Sequence, residues 1–233
     1  MRGRFLRLEE DFKDTSEESF YMKVDENGAE DIHGGYYINF SSSYNSVELI
    51  TSSQYHSYIK GKDDGKINSF EIVNYSNINK SPLSNEFTIE FWVKITGYNS
   101  YYNDFSLLFY DIGYDTNKIA STYRFSIYKN YFMSTINIED NKANYSESYY
   151  YSQNSWYHIA VVLDNNQLRF YVNGKQLTGS QRDLEIEVTS VQLKNILGSI
   201  GYYVEVCELR ISKGVKYKPN FTPIPPIPGL PNN

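Results

Sequence analysis

One cysteine, Cys207, is the whole thiol content of this 233-residue chain. An intrachain disulfide is therefore excluded, and a chain of this length can bury a core without one. Cys207 has no histidine near it in sequence, so it reads as a small buried hydrophobe rather than a nucleophile. Histidine is almost as scarce. His33, His56 and His158 stand far apart, without the spacing of metal ligands. His158 lies inside an apolar strand and reads as a hydrogen-bonded structural residue. No apolar run approaches the roughly 18 residues that a membrane-spanning helix needs. The N-terminal Met1–Asp11 opens with three arginines but has no apolar core of a signal peptide, so the expectation is a chain made in the cytoplasm without secretion. Basic residues are outnumbered, 22 against 28 acidic, for a net charge of −6, and they form no stripe. Nucleic-acid and membrane partners are not expected.

Aromatic residues are what the chain has in excess: 17 %, with 24 Tyr and 13 Phe. Such residues favour half-buried pleated surfaces and so point to strands. From Tyr36 onward short apolar runs alternate with Ser, Asn, Asp and Gly, the pattern of many antiparallel strands. In Phe87–Ile95 the apolar side chains Phe87, Ile89, Phe91, Val93 and Ile95 share one face, with Thr88, Glu90 and Lys94 on the other. Trp156–Leu163 is nearly continuous in apolar residues, so its strand is expected to be covered on both faces, with Trp156 in the core. Val204–Ser212 is a last strand, with Leu209 and Ile211 facing in. Lys129-Asn130 and Asn173-Gly174 read as tight hairpin turns, the latter the stronger because both residues tolerate positive φ. No helix longer than about two turns is expected in the body.

Residues 1–35 read as a charge-dense arm, with a short amphipathic helix over Phe5–Phe12. Residues 36–218 read as the folded domain. Residues 219–233 read as a tail whose prolines favour an extended path.

Three segments in order carry a resemblance. They are Phe87–Val93; Trp156–Val162 with its continuation Leu168–Lys175; and Glu208–Val215 ending in Asn220-Phe221-Thr222-Pro223. Together they resemble the concanavalin A-like lectin/glucanase superfamily in its laminin G-like branch. The resemblance implies an all-β fold: an antiparallel two-sheet jelly-roll β-sandwich, here with an N-terminal arm and a proline-rich C-terminal tail. Similar modules occur in bacteriophage structural proteins and bacterial surface proteins. Similar sequences carry an acidic residue just before the Glu of the last strand; Cys207 stands there instead.

The fold class does not name a function, so the candidate chemistry is read residue by residue. Relatives that hydrolyse glycans place carboxylates as Glu-x-Asp-x-x-Glu on one strand, and this chain has no such match. Glu185 and Glu187 share a strand face but read as a solvated edge. The expectation is a protein without catalytic activity and without a cofactor. Asp104, Asp111 and Asp115 are the calcium candidates, since Asp- and Asn-rich segments can supply oxygen ligands as well as turns. Tyr98, Tyr101 and Tyr102, and Tyr149, Tyr150 and Tyr151, form two clusters suited to stacking on a glycan, to a protein interface, or to simple alternation into the core. For partner docking the candidates are Arg2, Arg4, Phe5, Leu6, Arg7 and Leu8 in the arm, and Pro223, Pro225, Pro226 and Pro228 in the tail. The leading expectation is a decoration or accessory protein on the surface of a virion, docking on other assembly proteins. A glycan-binding adhesion module is the alternative, with a cell-surface glycan as its ligand.

Overall fold

A computed structural model describes residues 17–25, 28–32, 36–40, 47–51, 57–61, 68–74, 86–97, 106–109, 112–113, 121–128, 130–138, 143–164, 167–177, 182–183, 190–191, 196–200, 204–217 and 220–223. Among them nineteen strands occur and no helix. In chain order they begin with β1 Glu17–Asp25, β2 Gly28–Asp31, β3 Tyr36–Phe40, β4 Val47–Ile50, β5 Tyr58–Gly61 and β6 Asn68–Asn74. Next come β7 Phe87–Ile95, β8 Ser106–Phe109, β9 Ile112–Gly113, β10 Ser121–Ile127, β11 Tyr131–Ile138 and β12 Ala143–Tyr150. The last are β13 Trp156–Asp164, β14 Gln167–Val172, β15 Lys175–Gln176, β16 Arg182–Asp183, β17 Ser190–Val191, β18 Ile196–Ile200 and β19 Val204–Lys213.

Two large antiparallel sheets result, as an all-β jelly-roll sandwich requires, and β9 pairs with β17 in a separate two-stranded ribbon. The first runs β4-β5-β19-β7-β13-β14, with β15 and β16 on the far edge of β14. The second runs β2-β3-β6-β18-β8-β10-β11-β12. β1 belongs to both. Its first half, Glu17–Tyr21, pairs with β19, and its second half, Met22–Asp25, pairs with β2.

The core lies between the sheets. Ile89, Phe91, Val93 and Ile95 of β7 meet Ile159, Val161 and Leu163 of β13, Phe170 and Val172 of β14, and Leu209 and Ile211 of β19. Period-two alternation explains these faces. Phe132 of β11 reaches the same core from the second sheet and packs against Tyr149 and Tyr151.

The arm expected over residues 1–35 begins its fold earlier than that. Phe20, Met22 and Val24 are buried members of the core, so β1 and β2 belong to the sandwich. The flanking Glu17, Glu18 and Asp25 raise the charge density and conceal the alternation between them. Residues 1–16, with the expected short helix, lie outside the described residues.

The largest departure is on the outer face of the first sheet. Thr88 and Glu90 lie on the face opposite the core, as the alternation predicts, yet both are buried. Residues 214–217 and 220–223, which follow β19, lie across that face as a strap. The Gly214 amide donates to the Glu86 carbonyl, and the Lys216 amide to Thr88 Oγ1. Val215 packs with Ala160, Val162 and Tyr171, and Tyr217 and Phe221 pack against them. The strap also explains why Trp156–Leu163 is nearly continuous in apolar residues: Tyr157–Asp164 are all buried. Trp156 itself is not in the core. As the first residue of its strand it sits half-buried on the outer rim, where its ring meets Tyr58 edge-on and the Lys94 ammonium lies 5.3 Å from its centroid. Trp92 is the buried tryptophan.

Both expected hairpin turns form. Tyr128 N–H donates to the Tyr131 carbonyl across Lys129-Asn130. Asn173 and Gly174 have φ of 50° and 76°, the positive pair that a two-residue hairpin demands. Gly174 carries a second constraint. Its carbonyl accepts the Phe221 amide, and a Cβ there would lie 1.8 Å from the Phe221 carbonyl oxygen. Gly174→Val is therefore expected to cost more than about 2 kcal/mol, since it strains the turn and lifts the strap together. Urea titration measures this; a loss below about 1 kcal/mol would contradict the contact.

Candidate functional site

Beneath the strap lies a closed polar centre. Glu90 of β7 and His158 of β13 share the outer face, as the pairings Ala160↔Glu90 and His158↔Trp92 dictate. The Glu90 carboxylate accepts from His158 Nε2 at 3.0 Å, from the Tyr217 hydroxyl at 2.7 Å, and from Lys216 Nζ. Two of these three donors come from the strap. Since an ionised carboxylate only accepts, the hydrogen lies on Nε2. Nδ1 is then buried without a hydrogen-bond partner among the described residues. The His158 ring meets Trp92, Tyr217 and Phe221 edge-on, and Tyr217 stacks on Phe221 with centroids 3.6 Å apart and planes 8° from parallel.

Burial pushes the Glu90 carboxyl up, but the hydrogen bond and charge of His158 and the charge of Lys216 outweigh it and bring it down to about 2. A carboxyl that stays ionised to that pH does not act as a general acid near neutrality. The rings above it close the route for a substrate. Cys207, on the strand beside Trp92, is buried, and burial pushes its thiol well up, so it is a packing residue. A second ion cluster sits at the bulge in β19, where Glu208 holds φ of 54°. Its carboxylate accepts from the Tyr21 hydroxyl at 2.8 Å and from Arg210 Nη2 at 2.7 Å. Both clusters tie strands together.

Among the described residues, an exposed aromatic surface lies on the other sheet, at the hairpin between β10 and β11. Tyr128 and Tyr131 stack with centroids 4.7 Å apart and planes 11° from parallel. Tyr131 pairs in register with Tyr150 of β12, at 6.1 Å and 60°. Tyr150 is 73 % exposed, while its neighbours Tyr149 and Tyr151 pack against the core. The Tyr151 hydroxyl donates to the Tyr128 carbonyl at 2.6 Å, and Tyr157 Oη accepts the Ser152 amide at 2.7 Å. These bonds hold the three outward tyrosines on rigid backbone, as a ledge. Asn130 and Ser148 are exposed beside it.

Of the candidates read from sequence, Tyr150 is on this ledge, and Tyr149 and Tyr151 are its supports. Tyr128 and Tyr131 were missed, although their places on either side of the Lys129-Asn130 turn put them opposite each other. Pro223, expected to meet a partner, is buried against the chain's own strap and turn. Arg2, Arg4, Phe5, Leu6, Arg7, Leu8, Tyr98, Tyr101, Tyr102, Asp104, Asp111, Asp115, Glu185, Glu187, Pro225, Pro226 and Pro228 lie outside the described residues, as do His33 and His56.

Because the carboxyl of Glu90 is held below its unfolded value, it adds stability above the ordinary carboxylate range. That contribution fades as pH falls from about 4.5 through about 2. It is worth on the order of 3 kcal/mol at neutral pH. Glu90→Gln should therefore be less stable than wild type at pH 7 but lose less stability between pH 5 and pH 2. Thermal melting across that range checks it, and parallel curves for the two proteins would contradict it.

A family model described as the concanavalin A-like lectin/glucanases superfamily matches residues 70–196, more than half of the chain. A comparison with curated protein sequences finds no match. Among solved structures, the botulinum neurotoxin serotype D binding domain matches with TM-score 0.62 and 15 % identity, over 85 % of this chain and 48 % of that one. The binding domain of botulinum neurotoxin DC in complex with rat synaptotagmin II matches with TM-score 0.59 and 14 % identity, over 83 % and 47 %. A structure of botulinum neurotoxin type C, whose cell entry is dependent upon interaction with two ganglioside molecules, matches with TM-score 0.57 and 16 % identity, over 83 % and 47 %. The chain spans about half the length of each, and at these identities the likeness is one of fold. With its two antiparallel sheets and the match over residues 70–196, the chain belongs to the concanavalin A-like lectin/glucanases superfamily.

Proposed function

We propose that this chain is a non-catalytic recognition module that docks onto a partner protein through the ledge of Tyr128, Tyr131 and Tyr150. The observation that carries this reading is the exposure of Tyr150, 73 %, on top of two further rings held by rigid strands. Tyrosine offers large contact area at low entropic cost and is enriched where proteins meet. The polar chemistry elsewhere on the sandwich supports the same reading: Glu90 and His158 are sealed under the strap and serve the fold.

A glycan is the second reading, favoured by the absence of charge on the described side chains of the ledge and by the parallel rings of Tyr128 and Tyr131, a flat stacking surface. The neurotoxin structures supply an analogy for either partner: one is bound to rat synaptotagmin II, and another belongs to a toxin that uses gangliosides. The setting on a virion surface rests on the resemblance to phage structural modules.

Tyr131→Ala with Tyr150→Ala should leave melting close to wild type, because exposed substitutions stay within about 0.5 kcal/mol each. Partner binding should fall at least tenfold. The comparison is recovery of cross-linked partner from the native source, with the cross-linker placed at Ser148, beside a glycan array. Undiminished signals in both assays would remove the ledge as the recognition surface.

A further inference from the structure

We infer that the outer rim of the first sheet binds a quaternary ammonium group, and that the Lys94 ammonium fills this site until such a cation displaces it. The site is on the other sheet from the ledge and is independent of it. Trp156, Lys94 and Glu205 stand in one row on the outer face, because Lys94 of β7 pairs in register with Trp156 of β13 and with Glu205 of β19. Lys60 of β5 pairs with Glu205 on the side away from Trp156. Tyr58 and Lys60 share that outer face, since Ile59 between them points into the core. β5 and β13 are separated by β19 and β7, so their backbones are about 14 Å apart at the usual strand spacing. The Tyr58 and Trp156 rings nevertheless meet, with centroids 6.0 Å apart and planes at 75°. Both rings therefore lean inward over the two middle strands.

Two rings near right angles and a carboxylate make a cage for a cation, and a cation is already in it. Lys94 Nζ lies 5.3 Å from the Trp156 centroid, within cation–π reach, and 2.5 Å from Glu205 Oε2. The Glu205 side chain is the buried member, 6 % exposed, while that of Lys94 is 23 % exposed and Trp156 and Tyr58 are half-buried. The way the lysine is held marks it as exchangeable. Despite the short distance, Glu205 Oε2 makes no hydrogen bond among the described residues, so the ammonium sits off the line that an N–H donor needs. Charge and ring face hold it. At the bulge of β19 a cation over a ring is held differently: Arg210 lies 4.4 Å from the Tyr21 centroid, but its Nη2 and the Tyr21 hydroxyl both donate to Glu208. That cluster is closed by directed bonds. A cage without directed N–H bonds suits a cation that has no N–H to offer, which is a quaternary ammonium. Lys94 leaves readily, because its strongly hydrated ammonium rides on a flexible stem that already reaches water.

The probe is choline, titrated into the full chain by calorimetry and ligand-observed NMR. Its control is the neutral isostere in which a tert-butyl group replaces the trimethylammonium. Wild type should bind choline saturably and the isostere at least tenfold more weakly. Lys94→Gln empties the cage while its amide offers Glu205 a donor, and it should bind choline at least tenfold more tightly than wild type. Trp156→Leu and Tyr58→Leu, in chains that melt normally, should each weaken binding at least tenfold. Tyr131→Ala with Tyr150→Ala should leave choline binding unchanged, so the cage and the ledge stand or fall separately. A further arm with phosphatidylcholine vesicles separates the sources of the group. Retention on the vesicles assigns the cage to a lipid headgroup, and choline binding without retention assigns it to a soluble cation. Equal binding of choline and its isostere overturns the inference, as does no saturable binding to wild type and Lys94→Gln alike. Binding that survives both ring substitutions, or that Lys94→Gln does not tighten, overturns it too.

Discussion

A carboxylate inside a sheet has to be paired, and Glu90 is the one around which this molecule closes. Left alone it would carry a desolvation penalty of several kcal/mol. One donor, His158, comes from the neighbouring strand; Lys216 and Tyr217 come from the strap. The pairing therefore draws the strap down onto the outer face of the first sheet. Once they lie there, the rest is constrained. Tyr217 and Phe221 stack over His158, Asn220 Oδ1 accepts the Gln176 amide at 2.8 Å, and Gly174 has no room for a side chain. The same glycine serves the hairpin and the strap, so a local turn and a long-range contact share one residue.

Closing that face has a functional consequence. Among the described residues, the buried carboxylate–histidine pair on it holds the strap to the sheet, with its carboxyl ionised and rings packed around the histidine. Burial raises the Cys207 thiol as well. The recognition surface proposed above is of a different kind. At the end of the second sheet the tyrosines alternate, Tyr149 and Tyr151 inward and Tyr150 outward, so the core anchors the ledge that the outward rings form. The fold itself is shared with proteins of other roles and decides none of this.

Much of the sandwich was legible in the sequence. Phe87–Ile95 alternates cleanly, and Asn173-Gly174 announces its turn because few other pairs tolerate two positive φ values. What alternation does not carry is whether the outer face of the sheet is covered. Thr88 and Glu90 alternate with core residues, and alternation alone says that they face away from the core, not that they face water. Only a segment some 125 residues later in sequence decides that they are covered. Trp156 was misplaced for a related reason: an apolar strand covered on both faces still has a first residue at the rim. β1 was hidden by charges at its ends, although Phe20, Met22 and Val24 keep the period of two. The ledge was half legible. Tyr150 stood out in a run of tyrosines, while Tyr128 and Tyr131 join it only through the pairing of three strands.

The central claim is that Glu90 holds the strap on the sheet, and native-state hydrogen exchange reads it most directly. Three amides report the strap: Lys216 donates to Thr88 Oγ1, Phe221 to the Gly174 carbonyl, and Gln176 to Asn220 Oδ1. The Tyr128 and Tyr151 amides, bonded to Tyr131 and Asn130, report the far sheet. In Glu90→Gln at neutral pH the three strap amides should lose protection together, while Tyr128 and Tyr151 change little. Strap amides that exchange as slowly as in wild type would contradict the account.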